Sequence, residues 1–72
     1  MQIETELAAA AIEEGLQKYP AMSRYGPALV WRPLLQGGAL MVQYAEQPPR
    51  GHPDAWEFQN AVVKSYRRLT GQ

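Results

Sequence analysis

The stretch ALVWRPLLQGGALMVQYAE, residues 28–46, decides the fold. A glycine pair separates two apolar runs, and glycine supplies at no steric cost the positive φ angles that tight hairpin turns need. With Gly37 and Gly38 as the turn, Gln36 stands opposite Ala39, Leu35 opposite Leu40, Pro33 opposite Val42 and Trp31 opposite Tyr44. This register sorts the side chains by chemistry. Leu29, Trp31, Pro33, Leu35, Leu40, Val42 and Tyr44 gather on one face; Val30, Arg32, Leu34, Met41, Gln43 and Ala45 gather on the other. The first set predicts the core face, with Trp31 and Tyr44 as a cross-strand aromatic pair. A helix over the same residues is opposed by Pro33 and by the double glycine.

Outward from the hairpin, both flanks read as amphipathic helices. From Ile3 to Tyr19, the residues Leu7, Ala8, Ala11, Ile12, Gly15, Leu16 and Tyr19 share one half of a helical wheel, with Glu6, Glu13 and Gln17 opposite. Pro20 ends this helix, and Glu14 and Lys18 stand four apart in the favourable order. Gly15 on the apolar side costs about 1 kcal/mol of helix propensity against alanine, and it allows another element to approach closely. A connection from Pro20 to Pro27 carries Met22, Tyr25 and Gly26. On the other flank, the stiff loop from Gln47 to Pro53 admits no helix. Asp54 then offers an N-cap with Glu57 three residues later, a near capping box, and Gly71 stands where a C-terminal cap belongs. The helix expected from Ala55 to about Thr70 has Ala55, Phe58, Ala61, Val62, Tyr66 and Leu69 as its apolar stripe. The order helix, strand, strand, helix makes residues 1–72 a single small α+β domain, with both helices packed on one face of the hairpin.

A chain this short buries only about 60% of the surface it exposes when unfolded, so its core is thin. It has no cysteine, hence neither a disulfide framework nor a thiolate metal site. Oligomerisation or a partner is the staple that remains. Seven basic and seven acidic side chains cancel, so no global field draws the protein onto nucleic acid or an anionic membrane. The charges are segregated, with Glu4, Glu6, Glu13 and Glu14 early and Lys64, Arg67 and Arg68 late; Glu4 and Glu6 at the start of the first helix and the cations at the end of the last stand where the macrodipole favours them. No apolar run reaches the roughly 20 residues of a membrane span, and no basic leader precedes the alanine block Ala8 to Ala11. A cytoplasmic protein without membrane partners is the expectation.

The reactive residues are sparse. His52 is the only histidine, so a zinc site would draw most of its ligands from carboxylates, an uncommon arrangement. His52 and Asp54 lie in one loop, but Ser23 or Ser65 would complete a triad only through an unrelated tertiary contact. Neither Lys nor Ser follows Gly37 and Gly38 at phosphate-loop spacing, and Pro48-Pro49-Arg50 contains no Pro-x-x-Pro match. The sequence therefore predicts no enzyme, no metal and no cofactor. Arg50, Lys64, Arg67 and Arg68 would give nucleic acid four phosphate contacts at most, weak and salt-sensitive, with the acidic first helix in opposition.

Two features point to a protein partner instead. Trp56 lies off the core stripe of the last helix, stacked near Val63 at i+7 and flanked by Asn60 and Arg67. Aromatic and arginine side chains concentrate at binding hot spots. The competing reading tucks Trp56 sideways onto the hairpin or the first helix. The second feature is an unblocked strand edge. Pro33 blunts the first strand from a non-hydrogen-bonded site, whereas Ala39 to Tyr44 holds neither proline nor charge. Val42, Gln43 and Tyr44 are thus expected to pair with a second copy in a four-stranded dimer sheet, or with a strand of the target. Covering by the protein's own loops is the alternative. The expected function is a non-enzymatic protein-protein interaction module, an inhibitor or adaptor of the kind a bacteriophage or mobile element carries. The alternatives are a structural subunit of a larger assembly such as a virion, and a weak nucleic-acid binder.

Overall fold

Prolines bound both connections, Pro20 and Pro27 on one side and Pro48, Pro49 and Pro53 on the other, and regular structure fills what lies between. The structure is a computed structural model that describes residues 2–71. Helix α1 spans Thr5–Lys18, β1 Pro27–Leu34, β2 Gly37–Tyr44 and α2 Ala55–Thr70. The expected connection after α1 is itself ordered as a 3-10 helix, Pro20–Tyr25, whose Met22 and Tyr25 are buried. The strands form a two-stranded antiparallel sheet. Leu29, Leu40 and Val42 on its core face join Ala8 and Ala11 of α1 and Phe58, Val62 and Tyr66 of α2 in one cluster. Both helices therefore cover the same face of the hairpin, as the apolar stripes require.

The hairpin register differs from the one the glycines suggest. The turn is Leu35-Gln36, and the strands pair Leu34 with Gly37, Pro33 with Gly38, Trp31 with Leu40, Leu29 with Val42 and Pro27 with Tyr44. Trp31 and Tyr44 are not partners. The turn lies two residues earlier than expected and each partner shifts by four, an even number, so every paired side chain keeps its expected face. The cause lies in what Gly38 does. A Cβ on Gly38 would collide with the Trp31 indole, so the ring lies against the opposite strand where only a glycine leaves room. Gly37, at φ 126°, follows a turn whose two central residues both have negative φ. Such turns match strand twist poorly, and a glycine directly after them absorbs the mismatch. Leu35, expected in the core, is displaced to the tip and is fully exposed.

The helices meet through small residues. Ala8, Ala11 and Gly15 are the buried positions of α1, and a Cβ on Gly15 would stand 2.7 Å from Val62 Cγ2 and 2.9 Å from Phe58 Cε1. The close approach that Gly15 allows is thus made to α2. No side chain caps α1, but the Glu4 N–H donates to the Tyr66 hydroxyl at 2.9 Å, so α2 supplies the missing acceptor.

The start of α2 corrects the capping expectation. Asp54 has helical dihedrals and makes no side-chain cap, and the capping box with Glu57 does not form. The acceptor is His52, whose Nδ1 receives the Asp54 N–H at 3.1 Å. Asp54 keeps the N-cap position, and His52, two residues before it, closes the turn that leads through Pro53 into the helix. Because Nδ1 accepts, the ring proton of the neutral imidazole sits on Nε2. At the other end Gly71 takes the left-handed conformation at φ 79°, and its N–H donates to the carbonyls of Arg67 and Arg68, the expected glycine cap.

Candidate interaction surface

Residues 56, 60, 63 and 67 repeat at helical spacing and form a stripe along α2 beside the outer edge of β2. Trp56 is 69% exposed, so it does not tuck onto the hairpin or α1. Asn60 and Arg67 are also exposed, and Val63 is half-buried against the core. Two open clefts flank the stripe. One, of about 870 Å³, has Leu40, Ala61 and Val63 among its apolar walls and the cations Lys18, Lys64, Arg67 and Arg68 around it. The other, of about 500 Å³, lies between Trp56, Tyr44 and the loop residues Pro48, Pro49 and His52. Gln59 lines both, so they form one continuous face.

Charge on this face is predominantly positive. Its carboxylate, Glu14, pairs with Arg68 at 2.5 Å. The Arg68 hydrogen bond, helped by Ser65 and by the nearby charge of Lys18, holds the Glu14 carboxyl below its ordinary range. Both partners are substantially exposed, so the pair adds little to stability.

The strand-edge residues are brought together only in part. Outward from the hydrogen-bonded Leu34 and Gly37 pair, bonding alternates, so the N–H groups of Leu40 and Val42 point away from β1. Val42 is buried, and its outward N–H donates to Gln59 Oε1 at 3.3 Å, so α2 covers this point of the edge with its own side chain. Tyr44 is half-buried, its ring edge-on to Tyr25 at 6.4 Å and tilted against Phe58 at 6.5 Å. Its hydroxyl is buried without a hydrogen-bond partner among the described residues, and burial pushes its pKa up. Gln43 lies apart, exposed on the helix-free face, where its side-chain carbonyl accepts from Arg32.

One exposed cluster escaped the sequence reading. Leu34 is 59% exposed beside Leu35 at the hairpin tip, on the helix-free side where Val30 and Met41 are only half-buried. The signal was present in the Leu-Leu pair, but the assumed register placed Leu35 inside. Elsewhere the chemistry is quiet. His52 is engaged by the Asp54 amide and stands edge-on to Tyr25 at 5.6 Å. Among the described residues no three metal-ligating side chains cluster, and no helix is long and apolar enough to cross a membrane. No protein-family model matches the chain, and no curated protein or solved structure matches it.

Proposed function

We propose that this domain is a non-enzymatic interaction module, an inhibitor or adaptor, that docks on a larger protein through the α2 stripe and the adjoining edge of β2. The observation that supports this most is Trp56, a large aromatic side chain left 69% exposed on a rigid helix in a domain with little apolar surface to spare. Tryptophan and arginine on one face, next to clefts with apolar walls, have the composition of a binding hot spot. Replacing Trp56 with serine tests the reading. Folding should change by no more than about 0.5 kcal/mol, as for other surface positions. Capture of a single stoichiometric protein from the native host, identified by mass spectrometry, should fall by roughly 30-fold, the effect of losing a hot spot of about 2 kcal/mol. A variant that melts like the parent and captures the same protein equally well refutes it.

A second reading, a subunit of a larger assembly, is favoured by the apolar helix-free face around Leu34 and Leu35. A contiguous apolar patch on a sheet left bare on one side suits stacking against a neighbour. Sedimentation distinguishes the two readings. Concentration-dependent growth in mass that Leu34→Ser with Leu35→Ser abolishes supports the assembly; a monomer at all concentrations supports the free module.

A further inference from the structure

We infer that the larger cleft takes an extended acidic segment of a partner protein, which adds to the outer edge of β2 beneath the overhang of α2. The inference rests on the reading of this face as a partner surface and names the chemistry of what binds it. Helices packed side by side stand about 8–10 Å apart, whereas paired strands stand about 4.8 Å apart. Two helices over two strands must therefore project past both strand edges. The Gln59 bond to the outward N–H of Val42 shows that projection on the β2 side. Beyond it, the outward N–H of Leu40 has no partner among the described residues, and Leu40 forms a wall of the cleft.

The same widths select the occupant. A symmetric antiparallel pairing of β2 with β2 of a second copy puts both α2 helices on one face of the joined sheet, with their overhangs in the same space. The four-stranded dimer expected from the sequence is thereby disfavoured, while a lone strand without a helix above it fits. Charge sets its composition: Arg68 and Glu14 neutralise each other, and Lys18, Lys64 and Arg67 remain at the cleft with no further carboxylate among its described lining residues. A strand's side chains alternate in direction, so an alternation of acidic and apolar residues places carboxylates toward Lys64 and Arg67. Nucleic acid is the lesser fit, because no aromatic side chain lines this cleft for bases to stack on.

The test uses the whole protein and a fluorescent peptide of alternating glutamate and valine, followed by anisotropy. Binding should weaken as salt rises, fail for the lysine-valine counterpart, and fail when alternate peptide nitrogens are methylated. Lys64→Glu with Arg67→Glu should weaken it by at least roughly tenfold. Both positions are exposed, and Lys64→Gln with Arg67→Gln serves if the reversal disturbs folding. Equal binding of the lysine peptide or of the methylated peptide overturns the inference. So does tighter binding of single-stranded oligothymidylate, or a dimer by ultracentrifugation whose formation excludes the peptide. Host-protein capture that is lost with Trp56→Ser but survives charge reversal overturns the acidic segment alone and leaves the module standing.

Discussion

Replacing Gly15 with alanine sets helix propensity against packing, and the geometry says packing wins. In the interior of α1 the exchange gains about 1 kcal/mol of intrinsic helix stability. The new Cβ, however, would sit 2.7 Å from Val62 Cγ2 and 2.9 Å from Phe58 Cε1. Carbon atoms in good contact stand about 3.5–4.0 Å apart, so the overlap is close to 1 Å at two places. Val62 and Phe58 are both fully buried, so neither can swing into solvent to make room. Overpacking of this kind costs about 1–3 kcal/mol, leaving a net loss of about 0–2 kcal/mol. In a domain this small each kcal/mol lowers the Tm by about 4–8 °C, which thermal unfolding by circular dichroism resolves. A double-mutant cycle isolates the cause. Val62→Ala alone should cost about 2 kcal/mol, and in that background the closer overlap is gone while the one with Phe58 remains, so Gly15→Ala should destabilise less than in the parent. A higher Tm for Gly15→Ala in the parent would refute the close approach of α1 to α2.

Three further outcomes follow from the same geometry. Gly38→Ala should expel the Trp31 indole from β2 and shift its fluorescence, whereas Gly37→Ala should leave that signal alone; the opposite pattern would restore the Gly-Gly turn. His52→Ala should destabilise by about 0.5–2 kcal/mol in denaturant melts while His52→Asn, which keeps a short acceptor, stays near the parent; equal losses would remove the cap. Tyr44→Phe deletes a buried hydroxyl that bonds to no described group, so stability at neutral pH should hold or rise by up to about 1 kcal/mol. Burial raises the Tyr44 pKa in the folded state, so its contribution is complete below the ordinary tyrosine value of about 10 and is lost as pH rises through the folded value. Tyr44→Phe should accordingly flatten the alkaline limb of the stability profile, and a limb of unchanged slope would contradict that assignment.

The fold was legible where the signal was periodic and opaque where one residue type serves two purposes. Apolar spacing identified both helices and the core face of the hairpin, because a stripe or an alternation survives small errors in boundaries. Register did not survive. Glycine in a hairpin marks either a positive φ or a place where a large ring lies against the backbone, and the letters are the same. Gly37 and Gly38 do one of each. The strand faces came through only because the slip was even. At the start of α2 Asp54 does hold the N-cap position, but the side-chain acceptor at this end is His52, two residues earlier, which no capping pattern centred on Asp54 reveals.

The candidate surface divides along the same line. Trp56, Asn60, Val63 and Arg67 came from helical spacing and share a face, whereas Val42, Gln43 and Tyr44 came from an assumed edge and do not share one. What joins the two halves is Gln59, which no pattern singled out, since its role depends on α2 reaching past β2. The loop before the helix then acquires a purpose beyond connection. Pro53 fixes one backbone angle, the His52 ring ties down the next amide, and Trp56 follows within the same first turn. An aromatic anchor held on an already ordered turn loses less conformational freedom on binding than one on a frayed end, so more of its contact energy survives as affinity. Under the proposed interaction role, the residues that start α2 would therefore act on binding through Trp56 without touching a partner. Loss of the His52 cap should weaken capture by more than its cost to global stability implies, because fraying is concentrated at the turn that carries Trp56.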